Sequence, residues 1–112
     1  MFKTEINHNM TPNFTTYYAV IFTSTQKENI EGYSEMAEKM DVLAKQQSGF
    51  LGMDSARNEI GVTVSYWESL ESIKNWKQQA DHLQAQLKGR QDWYSWYHVR
   101  ICKVEREYEF NI

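Results

Sequence analysis

Hydrophobic residues recur along this chain in two rhythms, and the switches between them mark six elements. Tyr17 to Thr25, YYAVIFTST, is apolar at both parities, with Tyr17, Ala19 and Ile21 on one and Tyr18, Val20 and Phe22 on the other. A strand of that kind needs cover on both sides and belongs in the middle of a sheet. The period then lengthens. Ile30, Tyr33, Met36, Ala37, Met40, Leu43 and Ala44 fall within an arc of roughly 140° at 3.6 residues per turn, and Glu31, Glu35, Glu38, Lys39 and Asp41 take the rest. The pattern predicts an amphipathic helix. Thr25-Gln26-Lys27-Glu28 has the capping-box spacing for its start, with Ile30 as the later alternative, and Gly49 ends it. Phe50 to Arg57 and Ile60 to Trp67 read as strands joined by a tight hairpin at Asn58-Glu59. The second alternates cleanly, Ile60, Val62, Val64 and Tyr66 against Gly61, Thr63, Ser65 and Trp67. Ser69 can cap a second helix with Leu70, Ile73 and Trp76 on its stripe. Asp81 with Gln84 looks like a second cap, so a break is expected near Ala80, and Gly89 closes the segment. The last element, Trp93 to Val104, is a long strand with largely apolar residues at both parities.

Strands separated by helices around a central hairpin, β-α-β-β-α-β, predict an α+β, ferredoxin-like fold: a four-stranded antiparallel sheet with both helices on one face. The other face is then bare, although the first and last strands carry apolar residues there. An apolar patch of that size marks an interface. The simplest cover is a second copy of the chain, a homodimer in which two sheets form a dimeric α+β barrel.

At 112 residues the chain makes one domain, taken here as 17–110, behind a polar, Asn/Thr-rich arm at 1–16. Aromatic content of 14% with four Trp gives more large apolar surface than one small core needs. The net charge of −3 has no basic block behind it, which argues against nucleic-acid binding. Cys102 is the only cysteine, so it cannot form an internal disulfide, and it has no companion at zinc-like spacing. It reads as a small buried hydrophobe in a reducing compartment. No apolar run reaches transmembrane length and the first residues hold no apolar signal core, so a cytoplasmic protein with no membrane partner is expected. The nucleotide, metal-protease and hydrolase signatures are missing, so no cofactor and no metal are expected.

The segment YWESLESIKNWKQQADHLQAQLKGRQDWYSWY, followed by RICKVEREY, resembles the antibiotic biosynthesis monooxygenase family. The resemblance rests on a W-x-S turn at Trp67, a helical Trp at Trp76, an H-x-x-A-Q stretch at His82 and an aromatic last strand, and it covers about residues 17–110. It implies the dimeric α+β barrel. Its functional range runs from cofactor-free quinone-forming monooxygenases to haem-degrading enzymes. In quinone-forming relatives, the Trp matched by Trp67 lines the pocket, with an Asn four positions earlier and a Tyr six later. This chain has Thr63 and Ile73 there. In haem-degrading relatives, a Trp matched by Trp76 precedes the haem-ligating His by ten positions, where this chain has Gln86.

Several residues carry two readings. Trp67 either stacks a flat aromatic ligand or plugs the barrel mouth. Trp76 is core or part of the same pocket. His82 is a general acid or base, or a hydrogen-bonding residue at a helix start. His98 and Arg100 share a strand parity with Trp96; facing the barrel interior they would polarise a phenolate or quinone oxygen, and otherwise they are structural. The functional expectation joins these residues: a cofactor-independent monooxygenase for a small aromatic of the hydroquinone type, with O2 as co-substrate. His82, His98 and Arg100 would be its catalytic groups, with Trp67, Trp76, Thr63, Ser65 and Trp96 on the substrate. The alternatives are a non-catalytic small-molecule-binding or stress-response module and, third, a haem-binding degrader.

Overall fold

The elements run in the order β1 (Tyr17–Gln26), α1 (Tyr33–Lys45), β2 (Phe50–Arg57), β3 (Gly61–Trp67), α2 (Leu70–Lys88) and β4 (Tyr94–Val104) in a computed structural model that describes residues 15–88 and 93–112. The strands form one antiparallel sheet in the order β2-β3-β1-β4. This is the expected ferredoxin-like arrangement, with the doubly apolar β1 between β3 and β4. The arm falls mostly on residues 1–14, outside the described residues.

Register decides which side chains share a face. Tyr18, Val20, Phe22 and Ser24 of β1 stand across from Trp67, Ser65, Thr63 and Gly61 of β3, and across from Lys103, Ile101, Val99 and Tyr97 of β4. Trp67 stacks on Trp76 of α2, so this is the helix side. The opposite, open side carries Tyr17, Ala19 and Ile21, with Val62, Val64 and Tyr66, and Trp96, His98, Arg100, Cys102 and Val104.

Four local expectations are corrected. Thr25 does not cap α1: β1 continues through Gln26 because β4 pairs with it, and the Thr25 and Ser95 hydroxyls meet at 2.7 Å. The helix starts instead after Gly32, whose left-handed φ of 87° a side chain would resist. Asp81 does not restart α2, which runs unbroken from Leu70 to Lys88; Asp81 pairs with Lys77 one turn earlier at 2.7 Å. Cys102 is exposed rather than buried, since β4 is an edge strand and Cys102 lies on its open side. The Ser69 cap forms as expected: its Oγ accepts the Ser72 N–H at 3.1 Å. Gly49, however, does not end α1, which closes at Lys45 as the Gln46 and Gln47 N–H groups bond back to the Leu43 and Ala44 carbonyls; with φ +88° it makes the turn before β2, and its carbonyl accepts the Glu68 N–H at 2.8 Å. The closing Gly89 lies outside the described residues.

The buried apolar core consists of Ala19, Met36, Ala44, Trp67, Ile73 and Trp93 among the described residues. Met36, Ala44, Trp67 and Ile73 belong to the helix side, Trp93 packs beside the α1 entry, and Ala19 is buried on the open side between Tyr66 and Cys102 of the neighbouring strands. Strand β4 stays open on both sides: Tyr97, Val99 and Ile101 on the helix side and Trp96 on the other are all exposed. The tail after Val104 has no helix or strand, and the Tyr17 hydroxyl donates to Glu107 Oε1 at 2.5 Å. No helix among the described residues is long and apolar enough to cross a membrane.

Candidate functional site

The predicted site residues separate into three places. Trp67, Trp76, Thr63 and Ser65 come together on the helix side. Trp67 is fully buried; its ring stacks on Trp76 at 5.9 Å and 21°, and meets Phe50 edge-on at 5.4 Å. Its Nε1–H donates to the buried Ser65 Oγ at 2.8 Å. The indole therefore has no free face within this chain and fills the space between Trp76 and Phe50 on the helix side. Thr63 is half-buried beside Phe22 across the strand pair.

Trp96, His98 and Arg100 also come together, but on the open side. They stand opposite Thr25, Thr23 and Ile21, all three are exposed, and the Trp96 and His98 rings meet edge-on at 6.3 Å. The sheet thus lies between them and Trp67. His82 occupies a third place. It is exposed on α2 and lines a groove of about 490 Å³ between the helices, with Lys39 and Val42 on α1, Gln46 just past its end, and Gln79 and Gln86 on α2. Within one chain, Trp67, His82 and His98 do not converge.

A cluster that sequence reasoning missed does converge, at the other end of the helix side. Phe22 meets Tyr94 edge-on at 5.3 Å and stacks on Tyr97 at 5.4 Å and 28°. Tyr33, the first residue of α1, meets Tyr94 at 5.8 Å and Trp93 at 6.3 Å. Trp93 Nε1–H donates to the Glu31 carbonyl at 2.8 Å and pins the end of the sheet to the α1 entry. The Arg57 guanidinium lies 6.0 Å from the centre of the Tyr33 ring and donates to Ser24 Oγ, which is wholly buried. Burial above all, then the hydrogen bond with Tyr33, pushes the Tyr94 phenol well above the usual tyrosine range, against a smaller lowering by Arg57. Tyr94 therefore stays a neutral hydroxyl at physiological pH and serves as a donor or acceptor, not as a base.

Between this cluster and the Trp67–Trp76 stack, the helix side of β1 and β4 forms a ring-flanked strip. Val20 and Phe22 are half-buried in it, while Val99 and Ile101 keep 43% and 53% exposure because neither helix covers β4. Thr63 lies alongside the strip, across β1 from Val99. Among the described residues no group of three or more His, Cys, Asp or Glu could hold a metal ion. Gln86, ten positions after Trp76, is exposed in the outer groove.

A four-stranded antiparallel sheet with two helices on one side and an aromatic helix-side wall defines the ferredoxin-like α+β class. Within it, this chain belongs to the antibiotic biosynthesis monooxygenase family, whose model matches residues 16–88. The chain is 50% identical over 93 residues to the uncharacterized protein YqjZ of Bacillus subtilis (strain 168), covering 81% of this chain and 82% of that one. Among solved structures, it is similar to a mutant of SnoaB, a cofactor-independent oxygenase from Streptomyces nogalater. The TM-score is 0.66 at 10% identity, over 81% of this chain and 95% of that one. It is also similar to a mutant of MhuD with two manganese protoporphyrin IX bound per active site, with a TM-score of 0.55 at 17% identity, over 79% and 92% of the two chains. At these identities the structural likeness is one of fold.

Proposed function

We propose that this chain is a homodimeric, cofactor-independent monooxygenase that binds a small, electron-rich aromatic of the hydroquinone type on the helix side of its sheet. The observation that carries the reading is the uncovered strip along β1 and β4, apolar in its floor and lying between the Phe22–Tyr97 rings and the Trp67–Trp76 stack. Such a floor excludes water from a bound ring and strengthens every polar contact made to it. A deprotonated phenol can reduce O2 itself: an electron passes to O2, the radical pair combines at a ring carbon bearing hydrogen, and loss of water from the hydroperoxide leaves a carbonyl. One oxygen atom enters the product and the other leaves as water, so the phenol supplies all the electrons. The stacked rings hold the ligand in place, and Thr63 offers a donor to its oxygen. His82, His98 and Arg100 do not reach this strip within one chain, and the reading gives them no part in it.

The homodimer is proposed from the open side. Tyr17, Ile21, Val62, Val64, Tyr66, Trp96 and Val104 give that face its apolar and aromatic area, with His98, Arg100 and Thr23 set among them, and a two-fold copy of the same surface covers it. His98 and Arg100 then line the seam inside the barrel. A cytoplasmic setting fits the lone Cys102 thiol.

A second reading, a ligand-binding module without turnover, is favoured by one specific observation: both described imidazoles lie away from the strip, His98 beyond the sheet and His82 in the outer groove. Oxygen uptake separates the two. Chelator-treated protein offered a panel of hydroquinones and naphthols should consume O2 above the uncatalysed rate. A panel member that raises Tm without uptake supports the binding module, and a panel that does neither refutes both.

A further inference from the structure

We infer that Arg57 is an anion-binding group at the end of the helix-side strip, and that the ligand of this domain is a flat aromatic bearing an anionic oxygen, a carboxylate or an ionised phenol. The inference rests on the strip being the ligand site, and names the substrate class for it. The guanidinium is held rather than free: a wholly buried hydroxyl, Ser24 Oγ, accepts from it across the sheet, and the Tyr33 ring lies beneath it. Space for it is built into the neighbouring strand. Gly61 stands opposite Arg57, and a Cβ there would run into the guanidinium.

Among the described residues this cation also has no counterion. The ion pairs among the described residues, Glu35–Lys39, Asp41–Lys45 and Lys77–Asp81, each lie within one helix, and no described carboxylate pairs with Arg57. Bonding to Ser24 occupies one edge of the guanidinium, and the remaining donors of a planar fork match two oxygens of a carboxylate or one phenolate oxygen. Tyr33 and Tyr94 sit beside it as hydrogen-bonded hydroxyls, with Phe22 and Tyr97 behind them to stack the ring. A fixed cation, phenolic hydroxyls and aromatic faces together select an aromatic anion over an uncharged aromatic of the same shape.

The test needs binding alone, so it stands apart from turnover. Calorimetry on the full chain compares 2-naphthoate with 2-naphthalenemethanol, which share a ring system and differ in charge, and a phenol that ionises near neutral pH is titrated by its visible phenolate band. Wild type should prefer naphthoate by about tenfold or more, the worth of a charge-assisted bond, with a preference that weakens in salt. It should also shift the phenol's titration to lower pH. Arg57→Gln should bind both naphthalenes alike, with the affinity for the uncharged one unchanged, and lose the titration shift; Arg57→Lys should recover part of it. Should Arg57→Gln fail to fold, the salt dependence and titration shift of wild type decide. Equal binding of the two naphthalenes by wild type, or a preference that survives in Arg57→Gln, overturns the inference but leaves the strip. Binding of neither overturns the strip as well, whereas oxygen uptake that fails while naphthoate binds removes only the monooxygenase reading.

Discussion

Replacing Trp67 by Phe should cost this domain stability, and the amount follows from its surroundings. The indole is wholly buried between Trp76 and Phe50, and its N–H is the recorded partner of the buried Ser65 hydroxyl. Phenylalanine keeps most of the apolar area but removes the donor and leaves Ser65 unpaired, a penalty of about 1–3 kcal/mol. For a domain of this size each kcal/mol lowers Tm by about 4–8 °C, so Trp67→Phe should melt roughly 5–20 °C below wild type. Trp67→Ala removes the ring as well and costs about 3–5 kcal/mol, a large part of an ordinary domain's stability of about 5–15 kcal/mol. Trp76→Phe should cost less, since Trp76 is only half-buried. Thermal melts followed by circular dichroism at one fixed protein concentration, because Tm of an oligomer depends on it, give the comparison. Ligand affinity of Trp67→Phe, measured below its melting range, should change little. A Trp67→Phe chain that melts with wild type but loses ligand binding would refute this packing role and make the indole a pocket wall.

Ser69→Ala removes the acceptor of the Ser72 N–H and should destabilise by about 1 kcal/mol, read from the urea midpoint. Gly49→Ala should cost more than that: φ is +88° and the new Cβ would run into Ser72 Oγ. Alkaline pH should weaken the fold. Burial and the Glu107 hydrogen bond push Tyr17 up to about 12 from 10.0, and Tyr94 rises further for the reasons given above. A raised folded value means the folded chain holds these protons more tightly. The stability they contribute is therefore complete below pH 10 and is lost as pH climbs through the folded values. Tm should fall with a steeper slope above pH 10 in wild type than in Tyr94→Phe, and equal slopes would contradict the assignment.

Much of the fold is written in short-range pattern, and much of the site is not. The two-sided apolar β1, the α1 stripe ending at Ala44, the alternation of β3 and the Ser69 cap are all local signals, and each corresponds to what the chain does. Thr25 and Asp81 misled because a cap spacing says nothing of competing partners: strand pairing with β4 takes Thr25, and Lys77 takes Asp81. Apolar residues on both faces of β4 predict cover on both sides, yet within one chain the strand lies at the sheet edge with both faces exposed. The Arg57 cluster draws on β1, α1, β2 and β4, with Ser24 and Arg57 33 positions apart, so it becomes visible only once register is known. The same holds for His98. A slip of one residue would exchange it with Tyr97 across the sheet, and only the pairing of Thr23 with His98 puts it on the side away from Trp67.

Solution mass tests the two-fold cover of the open sheet face most directly. Light scattering on the purified chain at micromolar concentration should give twice the chain mass. Val64→Arg, which sets a charge in the middle of that face opposite Ile21, should shift the mass toward one chain with exposed apolar surface. A well-folded wild-type monomer at that concentration, or a dimer indifferent to Val64→Arg, would contradict the paired sheets.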